Sequence, residues 1–269
     1  MSQQIFNSIE TGLSLRTKLN ANFAELYALI PSGGSIFDPK TIPALTLWLD
    51  AADSATLFDS SVGGSNVTTQ DAPVTRWKDK SGNNFDAIQT VANSKPILKT
   101  AFINGKNCIR TDGVNDFMSS GAYFNGYSSF TCFMVTKSNG GATLSLGYNG
   151  NNGKGATLIS NYGGGLAFNS SSVGIPSVLP VLCAGIYNNL KVTAILNGQK
   201  GNIGNISSNY TSFIQEFPTE IGISGTFNNG TKYGFAAADY CEILIYGTEL
   251  TSIQRQQIEL YLNQKWAIF

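Results

Sequence analysis

The sequence predicts an all-β protein, either a sandwich or a barrel, with a helix near each end. Two observations predict the β-structure: short apolar runs follow one another from residue 35 onward, and clusters of Gly, Asn, Ser and Pro separate them. A third observation predicts the helices, because apolar side chains near both ends recur at intervals of three and four residues. We therefore divide the chain into a helical segment, 1–34, and a β domain, 35–269.

The first element is a helix within residues 12–30, which Pro31 and the glycines after it terminate. Its apolar side chains also fit a heptad seam with one polar position, but about two heptads are marginal for a coiled coil alone. The helix therefore needs a partner. The residues predicted to make this attachment or oligomerisation contact are Leu15, Leu19, Asn22, Phe23, Leu26, Leu29 and Ile30.

Ten apolar runs are long enough to be predicted as strands. They are residues 45–50, 108–111, 130–137, 143–148, 156–160, 166–169, 181–187, 191–196, 219–224 and 240–246. The run at 130–137 is apolar almost throughout, as expected for a strand covered on both faces. Asn104-Gly105 and Asn197-Gly198 predict tight hairpin turns, because both residue types tolerate positive φ.

The last element is a helix that Thr251 or Ser252 caps. We expect it to lie on the β domain as a lid. The side chains predicted to face the domain are Ile253, Ile258, Tyr261, Leu262 and Trp266, with Arg255 and the glutamines on the opposite face.

Composition excludes several classes of protein. The chain has 269 residues, with 17 basic and 17 acidic side chains and no histidine. Because a neutral chain lacks the positive field that attracts a polyanion, we expect no nucleic-acid partner. Without imidazole there is no Ser-His or Cys-His nucleophile pair and no histidine-containing zinc site. The four cysteines lie in apolar runs without any CxxC pair, which predicts buried free thiols: Cys108, Cys132, Cys183 and Cys241.

The chain opens without a basic stretch followed by an apolar one, so we expect no secretory signal. Its longest apolar stretch, residues 173–187, is interrupted by Pro176 and Pro180. We therefore expect no membrane insertion.

The β domain resembles the concanavalin A-like, laminin-G-like jelly-roll domains over about residues 42–269. The segments that carry the resemblance, in the family's order, are LTLWLDAAD, VTRWKDKSGNNFDA, INGKNCIRTDGVNDFM, FTCFMVTK, KVTAILNGQ and DYCEILIYGTELTSIQRQQIELYLNQKW. It implies a two-sheet antiparallel sandwich in which Trp48 and Trp77 are core residues; we expect Trp266 to be core as well. It does not imply one function, because this fold supports lectins, hydrolases and structural domains.

Residues 12–30, GLSLRTKLNANFAELYALI, are similar to short segments near the starts of bacteriophage tail-fibre and other virion appendage proteins. This resemblance implies a virion protein, assembled in the host bacterial cytoplasm, whose N-terminal segment binds other virion proteins or forms a homo-oligomer. A trimer is the usual state of such fibres.

Hydrolysis of glycosides, the commonest enzyme activity on this fold, needs two carboxylates that face one sugar ring. No acidic residue occurs between Asp116 and Glu216. The nearest candidate pair is Asp239 and Glu242, whose spacing of three predicts opposite faces of a strand. We therefore predict that the protein is not an enzyme and that it has no catalytic residues.

Two acidic loops are candidates for structural or metal-binding roles. Asp79, Ser81 and Asn83, with Asp86 nearby, have the alternating oxygens that begin a calcium loop, although the rest of the EF-hand pattern fails. The alternatives are a looser calcium site and a self-bonded turn. For residues 112–116 we predict a structural turn. No other cofactor is expected.

The loop at 147–155 and its surroundings are rich in Asn, Gly and Tyr, which suit weak polar recognition of sugars. The predicted ligand contacts are Tyr148, Asn149, Asn151, Asn152, Asn161 and Tyr162. Together these features predict a bacteriophage tail-fibre or receptor-binding protein that attaches to host-surface glycans. The alternatives are a ligand-free capsid or baseplate decoration protein and a polysaccharide depolymerase.

Overall fold

The computed structural model describes residues 37–121, 129–138, 143–149, 154–162, 165–168, 171–174, 180–188, 191–197, 199–205, 221–228 and 231–268. By its internal contacts the chain divides into two units, residues 1–41 and 42–269. Within the described part of the first unit lies a short 3₁₀ helix, Pro39–Thr41. The predicted N-terminal helix, with all seven of its contact residues from Leu15 to Ile30, lies outside the described residues, as does the boundary after residue 34.

Strands dominate the described part of the second unit, and an α-helix follows them. In chain order the strands are β1 (Leu45–Asp50), β2 (Leu57–Phe58), β3 (Arg76–Trp77), β4 (Ala87–Ile88), β5 (Ile97–Ile103), β6 (Lys106–Arg110), β7 (Met118–Ser120), β8 (Ser129–Ser138), β9 (Thr143–Asn149), β10 (Lys154–Tyr162), β11 (Gly165–Phe168), β12 (Ser171–Gly174), β13 (Val181–Asn188), β14 (Lys191–Leu196), β15 (Gln199–Asn205), β16 (Ile221–Ile223), β17 (Thr226–Asn228), β18 (Thr231–Tyr233) and β19 (Ala238–Tyr246). The helix is α1, Ser252–Trp266, and two further 3₁₀ helices are Ser54–Thr56 and Ala92–Ser94.

The strands form two antiparallel sheets and a separate two-stranded ribbon, β17–β18, which confirms the predicted two-sheet class. Sheet A has the order β15-β14-β13-β8-β19-β6-β5, and β1 pairs with β19 beside β6. Sheet B has the order β12-β11-β10-β9-β16-β7-β4-β3-β2. Strands that are neighbours in space are therefore often far apart in sequence.

One apolar core contains side chains from both sheets. Phe130, Cys132 and Met134 contribute from β8, and Leu144 and Leu146 contribute from β9. The alternation of buried and outward residues along each strand places this core between the sheets. All four cysteines are free and buried, as predicted, and Trp48, Trp77 and Trp266 are buried as well.

Each predicted strand overlaps an observed one. The prediction for residues 130–137 is confirmed in detail: Phe133 and Val135, which alternate with the core residues Cys132 and Met134 of β8, are also fully buried on the other face of sheet A. Strands β2, β3 and β4 were not predicted because each has two residues, too few to form a periodic pattern. Strand β5 was not predicted because polar and exposed residues interrupt its apolar run.

Helix α1 begins at the predicted cap, where Thr251 and Gln254 form a capping box. The prediction of its buried face was wrong at two positions: Ile253 is exposed and Arg255 is buried. The buried stripe runs through Arg255, Glu259, Leu262 and Trp266 at intervals of three and four residues. Burial of Arg255 is possible because Glu259, one turn later, neutralises its charge. No described helix has both the length and the apolar character needed to cross a membrane.

The predicted turn at Asn104-Gly105 is confirmed. These two residues, with φ of 47° and 67°, connect β5 directly to β6, and Ile103 pairs with Lys106. Positive φ at both central residues is the requirement of a type I′ hairpin.

Gly113 lies in the turn that follows β6, with φ of 78°, and a Cβ there would be 2.9 Å from the Ala237 nitrogen. At Gly105 a Cβ would meet nothing within 4 Å. We expect Gly105→Ala to cost about 1 kcal/mol from the left-handed backbone alone. Gly113→Ala should cost about 2 kcal/mol more, because the loop at Ala237 must also move. Urea unfolding of both variants measures the difference, and equal losses would contradict it.

Candidate functional site

Glu242 on β19 lies at the centre of a buried polar cluster between sheet A and helix α1. Its side chain is fully buried. Its Oε1 accepts hydrogen bonds from Trp48 Nε1 at 2.8 Å and Tyr261 Oη at 2.7 Å. Its Oε2 accepts one from Trp266 Nε1 at 2.7 Å and lies 2.8 Å from Lys265 Nζ. Four donors from β1 and α1 therefore converge on one carboxylate, which anchors the helix.

The cluster continues from Lys265 to a second buried carboxylate, Asp50. Asp50 lies 2.6 Å from Lys265 Nζ and 2.9 Å from Lys80 Nζ, and Lys80 also pairs with Asp53 at 2.9 Å. Burial and the nearby Asp50 carboxylate raise the pKa of Glu242, although Lys265 acts in the opposite direction. Partial burial acts to lower the pKa of Lys80, but its two carboxylate partners outweigh this effect and raise it.

The predicted placement of Asp239 and Glu242 on opposite faces of a strand was wrong. A β-bulge interrupts the pairing of β19 with β8 between Tyr240 and Glu242, so Cys241 is an extra residue. Before the bulge the even-numbered Tyr240 points into the core, whereas after it the odd-numbered Ile243 does. The bulge therefore turns both carboxylates to the outer face of sheet A.

Sharing a face does not make Asp239 and Glu242 a hydrolytic pair. Both oxygens of Asp239 accept hydrogen bonds from Arg110, from Nε at 2.7 Å and from Nη2 at 3.0 Å. Glu242 is occupied by the donors that anchor α1. Neither carboxylate is free to act as an acid or a nucleophile in this arrangement.

The Asp79 loop is a self-bonded turn attached to β1. Asp79 Oδ1 accepts from the backbone nitrogens of Trp48 and Ser81, and Oδ2 accepts from Ser81 Oγ and the Phe85 nitrogen. The Nδ2 group of Asn83 donates to the Thr46 carbonyl oxygen at 2.9 Å.

Asp86 completes that turn, because its Oδ1 accepts from the Asp79 nitrogen at 2.9 Å. Of the four calcium candidates, Asp79, Ser81, Asn83 and Asp86, each is thus used to hold the turn. Within the described ranges no group of three or more Cys, Asp or Glu side chains is arranged to hold a metal ion.

The segment from Asp112 to Asp116 is also a turn, as predicted. Asp112 Oδ1 accepts from the backbone nitrogens of Val114, Asn115 and Asp116, and Asp116 Oδ2 accepts from the Asp112 nitrogen. Burial, with a smaller effect of the Asp112 carboxylate, raises the pKa of Asp116 to about 6. These contacts close the turn on itself.

Of the six predicted ligand residues, the structure describes four, and these four form two separate groups. Tyr148 and Asn149 end β9 at the side of the β9–β10 connection, which contains Asn151 and Asn152, both outside the described residues. Asn161 and Tyr162 end β10 at the opposite side. Because Asn149 pairs with Lys154 at the start of β10, the two groups are separated by the length of that strand, about 26 Å.

Sequence reasoning missed a row of side chains on the outer face of sheet B. The register places in one row, across six strands, Phe58, Arg76, Ile88, Ser119, Gly222 and Ser145. Their chain neighbours, such as Trp77 and Met118, lie in the core, so the row faces outward. No local sequence signal identifies it, because the row depends on the pairing of strands that are distant in sequence.

The side chains of this row differ in size and in burial from one end to the other. At one end the Arg76 guanidinium lies 4.2 Å from the centre of the Phe58 ring and donates to the Gly63 carbonyl oxygen at 2.8 Å. In the middle Ser119 and Gly222 are small. At the other end Ser145 is fully buried, and its Oγ has no hydrogen-bond partner within the described part of the chain. The middle of this face is therefore lined by small side chains, of which Ser119 is partly exposed and Gly222 is buried.

Comparison with solved structures shows the fold. The chain is similar to the Trypanosoma rangeli sialidase in complex with sialic acid, with a TM-score of 0.52 and 14% identity over 94% of this chain and 39% of that one. It is also similar to the botulinum neurotoxin type G receptor binding domain, with a TM-score of 0.48 and 13% identity over 82% of this chain and 51% of that one. The chain thus spans about two fifths of the sialidase. No family model matches it, and no curated protein matches it significantly.

Proposed function

We propose that this chain is a non-catalytic adhesion module of a bacteriophage virion and that it recognises a polymeric glycan on the host surface. The observation that supports binding of a glycan rather than its cleavage is that the two carboxylates best placed for catalysis are already held by other side chains. Asp239 is held by Arg110, and Glu242 receives donors from β1 and α1. Among the described residues, neither of these two carboxylates is free, an arrangement that is suited to binding a sugar but not to cleaving it.

The positions of the candidate contacts favour a long ligand. Tyr148, on β9, lies beside the start of β10, and Tyr162 is the last residue of β10, about 26 Å away along the strand. Only an extended chain can contact both, and a polysaccharide lying along sheet B does so. The row of small side chains through Ser119 and Gly222 belongs to the same sheet, and Ser119 is partly exposed on its outer face.

The virion assignment is supported by residues 12–30, whose resemblance to tail-fibre segments implies attachment to other virion proteins or trimerisation. Display of several copies on one particle raises avidity by factors of about 10² to 10⁴ over a single weak sugar contact. The neutral charge of the chain is consistent with selective contact, because a strong net charge gives indiscriminate adhesion.

Separate substitution of the two tyrosines tests the proposal. We expect Tyr148→Ala and Tyr162→Ala each to weaken binding to a purified bacterial surface polysaccharide about 10-fold, since each removes one aromatic contact. Each variant is compared with the other, because the two positions lie on neighbouring strands of the same sheet and are separated by the length of β10. Binding can be measured by biolayer interferometry on immobilised polysaccharide.

The outcomes distinguish the alternatives. Loss with only one variant indicates a short ligand at that end of β10. Full binding by both variants would contradict the predicted contacts. Failure of the folded full chain to bind any polysaccharide of its host would favour a ligand-free decoration protein.

A further inference from the structure

Two of the four free cysteines lie against each other on the outer face of sheet A. Cys108 on β6 and Cys241 on β19 have their Sγ atoms 3.0 Å apart, and both side chains are fully buried. They are 133 positions apart in the chain. These two cysteines take part neither in the candidate sugar contacts nor in the hydrogen bonds that anchor helix α1.

The register of the two strands explains their proximity. Arg110 pairs with Asp239 and Ile109 with Tyr240, so the next residue along each strand is a cysteine. Opposite residues of an antiparallel pair have Cα atoms about 4.5 to 5.5 Å apart, within the range that a disulfide spans. Since Ile109 and Tyr240 point into the core, both thiols point to the outer face.

We propose that Cys108 and Cys241 are a thiol oxidation site that forms a cross-strand disulfide when a low-molecular-weight disulfide such as oxidised glutathione is present. One cysteine thiolate attacks a glutathione sulfur and releases glutathione, which leaves a mixed disulfide on the protein. The second thiolate attacks the protein sulfur of that mixed disulfide and expels the second glutathione. The two protein thiols lose two electrons and two protons, and one oxidised glutathione becomes two reduced molecules.

The other two cysteines provide an internal comparison. Cys132 is opposite Gly185, and Cys183 is opposite Met134, so the two thiols are offset along their strands. Cys132 Sγ donates to the Gly185 carbonyl oxygen at 3.6 Å. Cys132 and Cys183 are as deeply buried as the proposed pair, so burial alone does not distinguish the two sets.

The disulfide would join the β5–β6 edge of sheet A to its central strand, beside the bulge that positions Glu242. Burial raises the pKa of Cys132 to about 12 and raises that of Cys241 as well. The thiolate needed for attack is therefore scarce in the closed protein, and we expect the exchange to require transient opening of the sheet.

The test exchanges the reduced full chain with a mixture of oxidised and reduced glutathione at the urea concentration of its unfolding midpoint, where all four thiols are accessible. The protein is returned to native buffer, its free thiols are alkylated, and it is digested for mass spectrometry. We expect the Cys108–Cys241 linked peptide to predominate over every other pairing. The oxidised chain should melt about 5 °C or more above the reduced chain, because the bond closes a long loop.

Two variants serve as a matched pair. Cys241→Ala should lose both the linked peptide and the rise in melting temperature, whereas Cys183→Ala should keep both. Cys108→Ala repeats the loss from the other strand if Cys241→Ala folds poorly. Linkages spread over several pairings, glutathione adducts alone, or a lower melting temperature of the linked chain would overturn the proposal.

Discussion

Glu242→Gln is expected to lower the free energy of unfolding by about 3 to 5 kcal/mol, with a fall of about 10 °C in the melting temperature. The substitution keeps the size of the side chain and removes its charge. The amide has one acceptor oxygen where four donors converge, and its NH₂ group must face two of them. Those donors belong to Trp48, Tyr261, Lys265 and Trp266.

The matched control is Glu249→Gln. Glu249 is exposed and contacts Asn188 at the surface, so its loss should cost less than about 0.5 kcal/mol. Urea and thermal unfolding of both variants measure the difference. A cost below about 1 kcal/mol at Glu242 would show that the buried group is held as a neutral acid, and it would contradict the ionic anchor.

Trp266→Phe is expected to cost about 2 to 4 kcal/mol. Trp266 is almost fully buried, and its Nε1 donates to Glu242 Oε2 at 2.7 Å. The smaller ring leaves a void beside α1, and one oxygen of a buried carboxylate loses a donor. Both effects act in the same direction.

Trp77→Phe is the matched control for this substitution. Trp77 is also fully buried, but its Nε1 has no acceptor within the described residues. The variant loses some packing but removes an unpaired N–H, so the two effects oppose each other and the net cost should be below about 1 kcal/mol. Chemical denaturation measures both variants. Equal costs would mean that the hydrogen bond to Glu242 contributes little.

Elements whose signal is local could be predicted from the sequence. The run at 130–137 predicted a strand buried on both faces, Asn104-Gly105 predicted a hairpin, and Thr251 or Ser252 predicted the start of α1. Each depends on a few consecutive residues and on the period of a single element. The buried face of α1 was less predictable, because Arg255 enters it only as the partner of Glu259.

Features that depend on pairing between distant strands could not be predicted. An unbroken alternation along β19 would place Asp239 and Glu242 on opposite faces, and only the bulge at Cys241 turns them to the same one. The same bulge brings Glu242 beneath Trp266 and leaves Cys241 beside Cys108. The polar anchor and the thiol pair therefore share one structural cause that no spacing in the sequence reveals.

The relative positions of the candidate ligand residues also could not be predicted from the sequence. Tyr148 and Tyr162 lie close in the sequence and in similar Asn- and Gly-rich surroundings, which suggested one site. Tyr148 lies beside the start of β10 and Tyr162 at its end, so the length of that strand separates them. Proximity in sequence is a poor guide in a hairpin, because a strand moves the chain about 3.3 Å per residue.

Binding of a polysaccharide without its cleavage can be tested in a single incubation of the full chain with purified surface polysaccharides from host bacteria. The bound fraction and the reducing ends released are measured in the same sample. We predict that the protein is retained on at least one polysaccharide and that reducing ends do not rise above the buffer control. Release of reducing ends that Asp239→Asn abolishes would contradict this, and would identify a depolymerase instead.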